Sequence, residues 1–259
     1  MGLFDVSERT FFSFLLTLMR ISLLVFLLPF FGGSGLPRVV KAALCLVLTL
    51  GLWPHLSFSG ISMPSSPWQI GLMLGGELFL GLVLGMMVRF VFAGIQTAGH
   101  IIGFQMGFAM MNVVDPMSGV SVSLTSQFLY IVTLLIFLAL NGHLYMLQGL
   151  GASFELVPPG ALLLNDAVVT QVLEFSGQIF VLAIKVAAPV MIAELMVSLS
   201  LGLMARMAPQ VNVLFVGFPI KIAVGFVFLG MLLTLLSHYL QDFVGDLGGL
   251  YHGLLQTAS

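Results

Sequence analysis

The sequence predicts an all-α protein that crosses a membrane several times, and three observations predict it. Hydrophobic residues make up 59% of the 259 positions and charged residues only 7%, where a soluble domain carries about 25% charged residues. Apolar runs of roughly the 20 residues that a helix needs to cross a bilayer recur about six times. Clusters of Gly, Pro and Ser separate most of these runs. The apolar excess leaves no hydrophilic block to fold separately, so one membrane domain, 1–259, is expected. The formal charge of −2 contains no run of like charges, which removes nucleic acid and a polybasic surface anchor from the expected partners. Cys45 is the one cysteine; it excludes an internal disulfide and reads as a small buried hydrophobe.

The first apolar run, 11–31, follows Asp5, Glu8 and Arg9 and is too long for the core of a signal peptide, so it is expected to persist as a span. A turn at 32–37 leads to a second run, 39–56, and a Ser/Gly/Pro-rich loop at 54–67 leads to a third, 68–95. The fourth is 128–147, followed by a loop at 149–166 containing Pro158 and Pro159. Runs five and six, 179–203 and 211–237, contain Pro189 and Pro219; each proline removes a backbone hydrogen bond, so kinked helices in hairpins are expected. Arg38 and Lys41 follow span one, Arg89 lies near the end of span three, and Arg206 separates spans five and six, while the alternate loops lack Lys and Arg. Positively charged loops stay in the cytoplasm, which puts both termini outside. The tail reads as an amphipathic helix lying along a partner or the membrane interface. Leu240, Phe243, Val244, Leu247, Leu250, Tyr251, Leu254 and Leu255 form one face, with Asp242 and Asp246 off it. Gly245, Gly248, Gly249 and Gly253 weaken it, each by about 1 kcal/mol relative to Ala.

Charges inside the spans are the main anomaly. Arg20, Glu77, Arg89, Lys185, Glu194 and Lys221 would each cost about 2.5–3.5 kcal/mol at mid-membrane. Lys185 and Glu194, nine positions apart, fall on opposite sides of one helix, and Glu77 and Arg89 lie about 18 Å apart along theirs, so neither pair neutralises itself. Two readings stand: these groups line a conduit or meet charges on other subunits, or they pair between helices of one chain and snorkel, Arg89 above all. Glycines four apart at Gly71/Gly75, Gly81/Gly85 and Gly99/Gly103/Gly107 predict close helix approach. The stretch 96–119 mixes Gln96, His100, Gln105, Asn112 and Asp115 with Met106, Phe108, Met110 and Met111, and ends near Pro116 and Gly119. Flexible thioethers and phenyl rings there form either a Met-rich core contact before a turn or a deformable seal that excludes ions and yields to a passing polypeptide. Gly32, Gly33, Ser34 and Gly35 fit the Gly-x-Ser-Gly pattern of rhomboid-type proteases, with His143 or His238 as an imagined base, but an interhelical turn explains every glycine. No metalloprotease, phosphate-loop or dinucleotide motif is present, so no catalytic, metal or cofactor residue is assigned.

Three stretches, IGFQMGFAMMNVVDPMSG (102–119), QFLYIVTLLIFLALNGH (127–143) and AELMVSLSLGLMARMAPQVNVLFVGFPIKI (193–222), resemble the FliR family of the bacterial flagellar protein export gate. The resemblance extends over most of the chain. It implies a non-enzymatic subunit without cofactor in the bacterial inner membrane, within the flagellar basal body. Such a subunit joins FliP and FliQ in a helical multi-subunit channel for unfolded flagellar subunits, contacts FlhB and sits beside FlhA. It implies further that 107–119 is the plug, with Met106, Phe108, Met110, Met111, Asn112, Asp115 and Pro116 as its sealing and framing residues. Glu77, Arg89, Lys185, Glu194 and Lys221 become conduit or subunit contacts. The C-terminal part, roughly 171–259, is similar to FliQ, a hairpin whose turn faces the cytoplasm and FlhB; on this chain the turn carries Arg206, Pro209, Gln210, Asn212, Phe218 and Pro219. The part before it, roughly 1–170, is expected to be FliP-like. The corresponding subunit of a virulence injectisome is the nearest alternative. An ion-coupled transporter or intramembrane protease, suggested by Glu77, Glu194 and Ser34, is the alternative from another class.

Overall fold

The computed structural model describes residues 8–31, 37–56, 64, 66–108, 123–160, 166–210 and 212–258. Among them the chain forms seven α-helices and no strand: α1 (Glu8–Leu27), α2 (Arg38–Leu52), α3 (Pro67–Gln105), α4 (Leu124–Ala139), α5 (Gly142–Leu156), α6 (Asp166–Met207) and α7 (Val213–Ala258). A single 3-10 turn, Trp53–His55, follows α2.

Four of these helices, α1, α3, α6 and α7, are long and apolar enough to cross a membrane, with mean hydropathies of 2.1 to 2.3. The pair α4 and α5 makes a fifth if it counts as one broken span. The expectation of six spans is corrected at two places. Run 39–56 yields only the 15 residues of α2, about 22 Å of helix against a hydrocarbon core of about 30 Å. Run 128–147 is interrupted at Asn141, which adopts a left-handed conformation with φ 58°. The Asn-Gly pair at 141–142 is a turn signal inside an otherwise apolar run, and the short Asn side chain tolerates that backbone.

The tail is helical as expected and forms the end of α7, a continuous 46-residue helix that its glycines do not interrupt. The apolar face is as expected: Leu240, Phe243, Val244, Leu247, Tyr251, Leu254 and Leu255 are buried, and Asp242 and Asp246 are exposed. What covers that face is the chain itself. The Tyr251 hydroxyl donates to the Leu84 carbonyl at 3.1 Å, and Gly149 of α5 lies so close to the Tyr251 ring that any Cβ there would collide with it.

The helices group into two compact units, one of residues 1–90, 141–176 and 244–259, the other of 91–140 and 177–243. In the first, α1 packs on α2 and its buried Leu16, Ile21, Leu24 and Val25 face the core. Leu80, Val157 and Leu255 form a buried cluster. A Cβ on Gly81 would stand 2.5 Å from the Arg20 carbonyl oxygen, so α3 meets α1 backbone to backbone at a small residue. In the second unit, Phe92 of α3 stacks edge-on against Tyr130 and Phe137 of α4. Gly99 and Gly103 let α4 close on α3 at Ser126, Ser123 and Thr125, where the Thr125 hydroxyl donates to the Gly99 carbonyl and the Ser126 hydroxyl to the Gln96 carbonyl. Gly71 and Gly75, expected to do the same, meet nothing within 4 Å.

Candidate functional site

In the first unit the decisive group is Arg20, a fully buried cation in the apolar helix α1. Its Nε donates to Glu77 Oε2 at 2.6 Å and its Nη2 to Glu77 Oε1 at 3.1 Å, a bidentate pair with both side chains fully buried. The remaining donors go to the end of α5: Nη1 reaches the Ser153 carbonyl at 2.9 Å and the Val157 carbonyl at 3.2 Å, and Nη2 shares the latter. The Phe154 ring lies 4.2 Å from the guanidinium carbon. A helix leaves its last carbonyls without intrahelical partners and carries partial negative charge there, so Arg20 serves both as counter-ion to Glu77 and as cap of α5. The Gly160 N–H donates to Glu77 Oε1 at 2.7 Å from a turn in which Gly160 has φ +86°. Of the two readings for the charges within spans, pairing inside the chain is the one found for Glu77. The Ser153 hydroxyl oxygen also accepts from Nη1 at 3.2 Å, whereas Val157 takes part only through its carbonyl, which leaves no signal in the sequence.

The second unit gathers several of the residues expected at the plug and hairpin. Helix α3 ends at Gln105 by a motif built on Gly107. The Phe108 N–H donates to the Gly103 carbonyl at 3.0 Å and the Gly107 N–H to the Phe104 carbonyl at 3.1 Å, with Gly107 at φ +87°. This is the glycine-terminated helix end in which only a residue without Cβ sits at ease. The three residues of that turn then dock on α7. Met106 is fully buried against Gly225, where a Cβ would lie 2.6 Å from Met106 Cγ and 2.8 Å from its Sδ. Phe218 covers Gly107, its ring 2.8 Å from where a Cβ would be, and Phe108 meets Phe226 edge-on with centroids 6.4 Å apart. Met106, which the sequence offers either as a core contact or as part of a deformable seal, is buried against α7. Gly225 was not singled out by sequence, because a lone glycine in an apolar helix looks like any other. Met110, Met111, Asn112, Asp115 and Pro116 lie outside the described residues, as does Ser34.

Beside this turn a cavity of about 590 Å³ opens between the end of α3 and the α6–α7 hairpin, with Gln105, Ser198, Leu201, Phe218 and Lys221 in its wall. Glu194 stands one turn before Ser198 on α6. Its side chain is fully buried, and neither carboxylate oxygen has a hydrogen-bond partner among the described residues. Among the described residues it makes no ion pair with Lys221. Leaving a buried polar group unsatisfied costs about 1–3 kcal/mol, more when charged, so Glu194 is the least accommodated group of this unit. Arg89 and Lys185 are exposed and are not brought to the cavity.

At the hairpin's end, Arg206 sits in the last turn of α6, where a cation complements the helix dipole. The Ala208 N–H donates to the Met204 carbonyl at 2.8 Å to close α6, and the Asn212 carbonyl accepts from Phe215 N–H at 3.1 Å to open α7. Arg206, Pro209, Gln210 and Asn212 are all exposed, as is Pro219 one turn into α7, so this end offers backbone bends and a positive charge to whatever meets it. Among the described residues no three His, Cys, Asp or Glu side chains come together to hold a metal.

A family model described as "Bacterial export proteins, family 1" matches residues 11–247. The flagellar biosynthetic protein FliR of Bacillus subtilis (strain 168) is 34% identical over 223 residues, 84% of this chain and 84% of that protein. FliR of Pectobacterium carotovorum subsp. carotovorum is 31% identical over 242 residues, 93% of this chain and 91% of its own. FliR of Escherichia coli (strain K12) is 30% identical over 232 residues, with 89% and 87% covered.

Proposed function

The chain belongs to the FliR family, bacterial export proteins family 1, and from that premise we propose how this component of the flagellar export apparatus works. It forms, with FliP-like and FliQ-like chains, the channel through which unfolded flagellar subunits leave the cell, in contact with FlhB and FlhA homologues. It acts in the bacterial inner membrane as a conduit and not as an enzyme. The observation that carries this reading is similarity to flagellar biosynthetic proteins over 84–93% of the chain. The flagellar system is preferred to an injectisome because those relatives are flagellar.

Within this reading the stretch 107–119 is the plug, with Met110, Met111 and Asp115 as its sealing residues. Residues up to about 170 are the FliP-like part and those beyond it the FliQ-like hairpin, whose turn at Arg206, Pro209, Gln210 and Asn212 presents to a cytoplasmic partner. Arg89, Lys185, Glu194 and Lys221 serve the conduit or neighbouring subunits. The exposed apolar side chains of α6 and α7, among them Leu199, Leu203, Met207, Phe215 and Phe226, support a hairpin that other helices cover. Deletion of the gene is expected to abolish secretion of flagellar subunits and swimming, and the wild-type chain supplied in trans restores both. Normal filaments in the deletion strain overturn the reading. A tagged chain extracted in mild detergent is expected to bring FliP-like and FliQ-like chains with it; isolation as a lone chain counts against a channel subunit.

A further inference from the structure

We propose that Gly225 is a socket for the Met106 side chain, and that socket and turn together make α7 the element that positions the end of α3. The turn itself is rigid. Two nested backbone hydrogen bonds and a glycine at φ +87° define residues 106–108, so whatever holds Met106 and Phe108 holds the end of α3. Three neighbouring side chains are all held by α7: Met106 in the gap over Gly225, Gly107 beneath Phe218, and Phe108 against Phe226.

The socket is specific rather than incidental. Cγ, Sδ and Cε of Met106 all lie within 2.6–2.8 Å of where a Cβ on Gly225 would stand, so the methionine lies across the glycine along its length. Rotating its last bond alone does not relieve the clash, because Cγ is also within that distance. Helix α7 tolerates a residue of poor helix propensity at 225 because the site must be empty. Five residues further along the same helix, Gly230 faces open space, so it controls for the effect of a glycine in α7 as such.

This positioning role rests on the export reading given above, in which the turn leads directly into the plug. In a deletion strain, Gly225→Ala in the full-length chain is expected to lower secretion of flagellar subunits several-fold and to raise passive ion entry in resting cells. Chain abundance stays near wild type, and Gly230→Ala behaves as wild type. Wild-type behaviour of Gly225→Ala overturns the socket, while restoration by the wild-type chain keeps the export reading intact. If Gly225→Ala lowers abundance, the geometry is read directly with Cys45 replaced by Ala: Met106→Cys and Gly225→Cys should form a disulfide on oxidation in membranes. Failure of that pair to cross-link, when the chain is inserted, also overturns the proposal.

Discussion

Arg20 and Glu77 show how a membrane helix keeps a charge that it could not keep alone. Every donor of the guanidinium has an acceptor, and breaking such a buried pair by removing one partner costs about 3–5 kcal/mol. Arg20→Leu and Glu77→Leu are each expected to destabilise the detergent-solubilised chain by about that amount, read as a lowered midpoint of thermal unfolding and reduced steady-state abundance. Arg20→Lys should not rescue, since an ammonium cannot present the fork that meets Glu77 and the α5 carbonyls together. Gly149→Ala is a further residue-scale test. It places a methyl into the Tyr251 ring, and overpacking of this kind costs about 1–3 kcal/mol. The charge anomaly was legible in the sequence; its solution was not, because Glu77 is 57 positions away from Arg20 and the other acceptors are two backbone carbonyls and the Ser153 hydroxyl, 133 or 137 positions away.

At the scale of elements, local chemistry decides where apolar runs stop being single helices. Asn141 holds a left-handed backbone between α4 and α5, so Asn141→Gly should leave stability nearly unchanged. Asn141→Val should cost about 1–2 kcal/mol, the penalty of that conformation for a residue with a branched Cβ; chymotrypsin sensitivity of the purified chain would report both. The helical membrane class and the buried face of the tail were readable because hydropathy and periodicity are local. Close approach at Gly99 and Gly103 was also readable, whereas Gly71 and Gly75 have the same spacing and no neighbour within 4 Å among the described residues. A glycine pattern states what a helix permits, and only the partner's position states what it does. The turn after α3 repeats the lesson: the sequence reads Gly107 as one of a close-approach series and the structure makes it a helix end, while Gly225 acquires meaning only once α7 brings it beneath Met106.

For the whole molecule, the positive charge of Arg206 beside the α6–α7 turn makes a prediction about orientation. Single cysteines at Pro209 or Gln210, in a chain with Cys45 replaced, are expected to react with an impermeant maleimide only after the cytoplasmic side is opened. Labelling in intact cells would reverse the assignment. Helix α7 carries a last consequence. Its 46 residues measure about 69 Å along the axis, more than twice the oily layer of a membrane, and leaning by even 40° would not hide them. Some of this rod therefore stands clear of the fatty acyl chains. The places where Asp242, Asp246 and His252 face outward are where it can do so without penalty, giving the protein a portion that lives among headgroups, water or other polypeptides.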